Sequence, residues 1–254
     1  MTPPFLRRLV DEATQAWNLA AKDVRVYYLK PPMIMFGILL PVFLFFSFSV
    51  RRETGAAVGI ANLLALTTFF TASSAGPVII PMERDSGTYD RLLAAPMTLG
   101  TLLVGKTLVG TFFGLVASII PLVIGLIFLD VPIASPWLLL SSLILASLTF
   151  SGFGLVFASI PARSVGDIMM PSTLVRWPLL FVSGVFIPFS EMSAWALPLA
   201  YISPLSYAQD LINHAVLDTG FFPVWLDLIV LPVLLLGFFV AAARLHHRSR
   251  VLGY

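Results

Sequence analysis

The chain has 254 residues, of which 58% are hydrophobic and only 11% charged, against about 25% charged in an ordinary soluble domain. A soluble core of this length has no use for that much apolar surface, so much of it must face hydrocarbon, and a soluble globular class is excluded. The absence of cysteine removes disulfides, thiolate metal sites and Cys nucleophiles. The formal charge of +2 sits at the ends of apolar segments rather than along one polar face, which argues against nucleic acid as a partner.

In chain order, the first predicted element is an amphipathic helix over residues 5–28. Leu6, Leu9, Val10, Ala13, Trp17, Ala20, Ala21, Val24 and Tyr28 recur at spacings of three and four, opposite Arg8, Asp11, Glu12, Gln15, Asn18, Lys22 and Arg25. Such a helix lies in the membrane interface, as an anchor, as a strut that also touches a cytoplasmic partner, or as both. Pro31-Pro32 ends it. A crossing helix needs about 20 mostly apolar residues, and six segments qualify: 33–50, 58–82, 107–129, 136–160, 168–188 and 223–243. The first begins too late and runs too long for a cleavable signal peptide.

Twelve of the fifteen Lys and Arg residues fall on the side of the two termini, Arg51 and Arg52 on the other, and Arg176 inside the fifth segment. The positive-inside rule then predicts cytoplasmic termini, outvoting the Arg51-Arg52-Glu53 turn. No linker or fixed repeat divides the chain. It reads as one membrane domain over 1–254: interfacial helix 1–32, six-span bundle 33–243, and cytoplasmic tail 244–254.

The loop after the second span, running from Glu83 through Arg84, Asp85, Ser86, Gly87, Thr88, Tyr89, Asp90, Arg91, Leu92 and Leu93 to Pro96, is the most informative stretch. Ser86 or Thr88 would cap a short helix on which Tyr89, Leu92 and Leu93 share one side. That helix suits a groove on another protein, or else the loop is solvated and its charges only set topology. Gly100 to Thr107 matches the phosphate-loop pattern G-x-x-x-x-G-K-S/T. It runs straight into an apolar span with no strand before it, however, and Lys106 reads better as an interfacial snorkelling residue. Gly110 with Gly114, and Ser147 with Ser151, permit close helix approach, favouring packing within the chain over a dimer seam.

Arg176 beside Trp177-Pro178 must face a pore, a partner helix or headgroups, or snorkel to the surface. Asp227 in the last span carries the same ambiguity. Residues 189–220 hold Glu191, Trp195, Pro198, Tyr201, Pro204, Tyr207 and Asp210. They are too broken to cross, and two short helices dipping into the outer leaflet would accommodate them. Of the three histidines, His214 falls outside and His246 and His247 in the tail. Nothing in the pattern assembles a metal site or a catalytic triad.

The run Glu83 to Leu93, then Pro96 and Gly105-Lys106, resembles the coupling-helix signature of type-2 ABC exporter permeases. The stretch from Ser183-Gly184 through Pro188, Tyr201 and Ser203-Pro204 to Gln209-Asp210 is similar to that family's segment after the fifth span. The resemblance implies an all-α integral membrane fold of six transmembrane helices, with an N-terminal interfacial helix, a cytoplasmic coupling helix and an outer-leaflet re-entrant helical hairpin. It implies a non-catalytic permease that dimerises and sits on two ATPase subunits in the cell membrane. ATP and magnesium would be held by that partner, and no cofactor by this chain. Glu83, Arg84, Asp85, Ser86, Gly87, Thr88, Tyr89, Arg91, Leu92 and Leu93 would meet the ATPase, the apolar three as anchor. Arg176, Trp195, Tyr201, Tyr207 and Asp210 would line the path or its outer gate, and the cargo would be amphiphilic: a drug, a lipid or a lipid-linked glycan. An ATP-independent channel or carrier, and a scaffold that moves nothing, are the readings that compete.

Overall fold

The computed structural model describes residues 4–27, 55–160 and 164–251, with isolated positions between 35 and 43. The expected first span, the Arg51-Arg52-Glu53 turn and Arg163 lie almost wholly outside the described residues. Within them the chain is helical and holds no strand: α1 (Pro4–Tyr27), α2 (Ala56–Asp85), α3 (Thr88–Ala94), α4 (Leu99–Val123), α5 (Pro136–Ala158), α6 (Val165–Phe181), α7 (Leu197–Ala200), α8 (Pro204–Leu217) and α9 (Val224–Val251). A π-helical turn, Ile124–Phe128, extends α4. Four of these, α2, α4 with its extension, α5 and α9, are long and apolar enough to cross a membrane.

The expected fifth span, 168–188, is shorter than predicted. α6 stops at Phe181 after 17 residues, or about 25 Å at 1.5 Å per residue, against a hydrocarbon core of about 30 Å. α4 starts eight residues before the expected 107, because Thr98 caps it by accepting from the Thr101 N–H at 3.1 Å. The phosphate-loop match therefore lies on the first turns of a helix, where the Thr101 N–H is taken by the Thr98 hydroxyl and the Leu102 N–H by the Thr98 carbonyl.

α2 is the axis of the bundle. Its small residues Ala72, Ser73, Ser74, Ala75 and Gly76 are all buried and let α4 and α5 approach closely. A Cβ at Gly110 would overlap Ser151 Oγ and the Ala72 carbonyl, and one at Gly114 would press on Ala72 and Ser147. The small-residue motifs thus serve packing within the chain, sealed by the Ser151 hydroxyl donating to the Thr107 carbonyl at 2.9 Å. Below them Phe69 meets Phe150 edge-on at 4.9 Å, and α8 packs its buried face on α2 and α5.

α9 is peripheral. Trp225, Ile229, Val233, Leu236 and Val240 stand exposed along it at spacings of three and four, an apolar stripe that only lipid or another apolar partner satisfies.

α1 divides into three sides. Ala16, Leu19, Ala20, Asp23 and Tyr27 are buried against the bundle, while Val10 and Trp17 are 63% and 66% exposed. Arg8, Asp11, Asn18 and Arg25 form the exposed polar side. The apolar set expected on one face is therefore split between two faces, one covered by protein and one left bare.

Candidate functional site

Two lysines and two carboxylates meet where α1, α2 and α4 come together. Lys106 Nζ lies 2.7 Å from Asp23 Oδ2 and also pairs with Glu83. Lys22 Nζ lies 2.8 Å from Asp23 Oδ1 and 2.8 Å from Glu83 Oε1. Asp23 and Glu83 are 0% exposed and Lys106 1%, so only Lys22, at 38%, reaches solvent. Charges taken out of water survive only when paired and hydrogen-bonded, and this square closes on itself with no net charge. Burial, then the neighbouring Glu83 and Asp23 carboxylates, push the Tyr27 phenol up from 10.0 to about 12.

Lys106 is accordingly not a snorkelling residue: its ammonium points into protein. Glu83, expected on a partner-facing surface, is likewise turned inward. The square fixes the root of the 83–96 segment to the interfacial helix and to α4.

Beyond it, Gly87 at φ 65° provides the left-handed residue that starts α3, and no side chain caps the helix; Ser86 and Thr88 instead bond each other at 3.0 Å. Tyr89 is 4% exposed, its hydroxyl 2.5 Å from His246 Nε2 near the end of α9. The Arg84 guanidinium stands 5.2 Å over the Tyr89 ring and donates to the Ile160 carbonyl at 3.2 Å. Leu92 is half-buried against the same cluster. The apolar side of α3, expected to anchor a partner, is used to seat the helix on its own bundle. The Leu93 side chain lies outside the described residues. Asp85, Ser86 and Arg91 are exposed, and Gly87 and Thr88 half-exposed.

Arg176 faces α2 and does not snorkel. It is 0% exposed, with Nη2 donating to the Ser73 carbonyl at 2.5 Å and Nη1 to Ser74 Oγ at 3.0 Å. The reason is local: Pro77, four residues beyond Ser73, has no N–H to give that carbonyl. The guanidinium supplies the missing donor at a depth where water cannot.

At the opposite end of α9 from His246, the residues expected at an outer gate separate into two groups. Trp195 and Tyr201 are 74% and 48% exposed, whereas Tyr207 and Asp210 are buried. Tyr207 donates to the Tyr201 carbonyl at 2.7 Å. Asp210 accepts from the N–H groups of Phe221 at 2.7 Å and Phe222 at 2.9 Å, pinning the connection between α8 and α9. His214, one turn on, and Asp227 in the first turn of α9 join it. Their ligating atoms all lie within 4.8 Å of one another. Pattern reading missed this grouping because Asp227 reaches it only through the fold.

Four helices long and apolar enough to span a bilayer, in described residues that hold no strand, define an integral membrane protein. Residues 14–217 match the ABC-2 type transporter family, and the chain belongs to that family, as the resemblance of its two motifs implies. It is 25% identical to the "Probable multidrug ABC transporter permease YbhR" of Escherichia coli over 65% of this chain and 45% of that protein. It is 26% identical to the E. coli "Inner membrane transport permease YadH" over 63% and 62%. With "Nodulation protein J" of Rhizobium leguminosarum it shares 28% identity over 92% and 90%. The matched region thus spans less than two thirds of the first two relatives.

Proposed function

We propose that this chain is the membrane subunit of an ATP-driven exporter in an inner or plasma membrane, with both termini cytoplasmic and six spans once 33–50 and α6 are counted. A second permease copy and a separate ATP-binding cassette subunit complete the transporter. ATP and magnesium belong to that subunit, and this chain hydrolyses nothing.

One observation carries the reading. α3 is bound to α9 through Tyr89–His246, and its root to α1 and α4 through the charge square, while Asp85, Ser86 and Arg91 stay exposed. A helix held so firmly on one side and bare on the other transmits a push applied to its bare side. Charged residues there set register and partner choice. Glu83 and Tyr89 serve as the mounting, and the exposed three as the contact. The bare apolar stripes of α1 and α9 suit an amphiphilic cargo, in keeping with the multidrug description of YbhR; drug, lipid and lipid-linked glycan all fit that class.

Co-purification tests the reading. Tagged permease, co-expressed with an ATP-binding cassette subunit, is expected to retain it, and the pair D85K/R91E to lose it at unchanged size-exclusion profile. Retention by the double variant would sink the docking assignment, and cargo movement by the permease alone, without ATP, would favour a channel or carrier.

A further inference from the structure

We propose that Asp210, His214 and Asp227 form a divalent-cation site of zinc type, at the end of the bundle remote from the charge square. Asp210 and His214 are one turn apart on α8 and so share a face. Asp227 is brought in by the first turn of α9. The three ligating atoms lie within 4.8 Å of one another. A zinc ion about 2.0–2.2 Å from each would need them roughly 3–3.5 Å apart, so the side chains converge modestly around it.

The observation that asks for a cation is independent of that clustering. Asp227 is 0% exposed, and no backbone N–H, hydroxyl or cationic group bonds either of its carboxylate oxygens; the polar group it meets is the Asp210 carboxyl. A buried carboxylate without donor or counter-charge is expensive, and it lies beside a second buried carboxylate. Asp210 accepts from the backbone N–H groups of Phe221 and Phe222.

The imidazole is the only basic group in the cluster. Its Nε2 donates to the Phe222 carbonyl at 2.8 Å, which leaves Nδ1 as the ring nitrogen able to take a metal, the way orienting carbonyls hold metal-bound imidazoles. A Cβ at Gly220 would overlap the ring, so the glycine is what lets His214 stand there. Access is open. A cavity of about 420 Å³, lined by Asn62, Asp210, Asn213, Thr219 and Gly220, gives a hydrated ion a polar route to Asp210. Two carboxylates and one imidazole favour zinc over calcium or magnesium, which prefer oxygen-only shells.

The proposal does not depend on the transport reading and is tested without it. The full chain, purified in detergent and stripped with a chelator, is titrated with zinc chloride; bound metal is counted after desalting and the melting temperature followed. One zinc per chain is expected, with a raised melting temperature that calcium and magnesium do not reproduce. D227N and H214Q should each bind at least tenfold more weakly, and H246Q/H247Q, which removes the tail histidines, should bind as the parent does. H214Q, at a half-exposed position, keeps the test decisive if D227N folds poorly. Binding below a tenth of an equivalent would overturn the site. So would zinc uptake unchanged in H214Q, or lost in H246Q/H247Q.

Discussion

Both ends of the bundle bury a pair of carboxylates, and they treat them in opposite ways. At one end Asp23 and Glu83 are matched by Lys22 and Lys106, and the four charges close a neutral square. At the other, His214 is the one basic group gathered with Asp210 and Asp227, and no backbone N–H, hydroxyl or cationic group bonds either oxygen of Asp227. The first arrangement is complete within the chain and joins three helices rigidly. The second is complete only when something positive is added. In a membrane, where every uncompensated charge is costly, that difference separates a structural joint from a site that receives something.

The largest effect should come from opening the square. Lys106→Met leaves Asp23 and Glu83 fully buried with only half-exposed Lys22, and breaking a buried pair by removing one partner costs about 3–5 kcal/mol. Unfolding in mixed micelles measures it, and E83Q/K106M should recover a good part. Lys22→Met should cost clearly less, since its ammonium already shares solvent. At the other end the sign reverses: in metal-free protein Asp227→Asn replaces a buried carboxyl that no cation or backbone donor meets, and should leave stability unchanged or raise it by about 1 kcal/mol. Equal losses from K106M and D227N would erase the contrast.

Tyr27 adds a pH signature to the square. Its folded pKa is raised, from 10.0 to about 12, so the folded state holds a proton that the unfolded chain releases first. Its contribution is therefore fully present below about pH 10 and lost as the pH rises through about 12. Tyr27→Phe should flatten the decline in unfolding free energy over that window and change little at neutral pH.

Hydropathy made four of the spans legible, and the loop from Glu83 to Pro96 stood out by its charge density. What remained hidden was pairing across the fold. Asp23, Glu83 and Lys106 are 60 and 23 residues apart along the chain, so no local period joins them, and a lysine at a span end looked like an interfacial one. On α1 the sequence shows which residues are apolar but not that Ala16, Leu19 and Ala20 meet protein while Val10 and Trp17 stay bare. Arg176 stood out as an intramembrane charge, and its partner followed only once Pro77 was seen to free the Ser73 carbonyl.

A smaller effect is expected where α3 joins α9. Tyr89→Phe keeps the ring packed under Arg84 and removes only the hydroxyl bonded to His246, so the loss should be near the net value of one hydrogen bond, about 1 kcal/mol. Equilibrium unfolding reads the loss, and hydrogen exchange across Thr88–Ala94 should quicken if the bond seats the helix.

The smallest effect belongs to the one pair on α1 that has the same chemistry as the square without its burial. Arg8 Nε lies 3.3 Å from Glu12 Oε1, one helical turn on, with the two side chains 75% and 33% exposed. Water solvates both groups whether or not they touch, and holding two long side chains together costs entropy that offsets the attraction. Arg8→Ala should therefore shift unfolding by less than about 0.5 kcal/mol, and less still in high salt, where exposed pairs are screened. The square, out of water, should keep most of its contribution in the same buffer. A loss at Arg8 approaching that at Lys106 would mean that charge pairing, rather than its burial between three helices, fixes this end of the bundle.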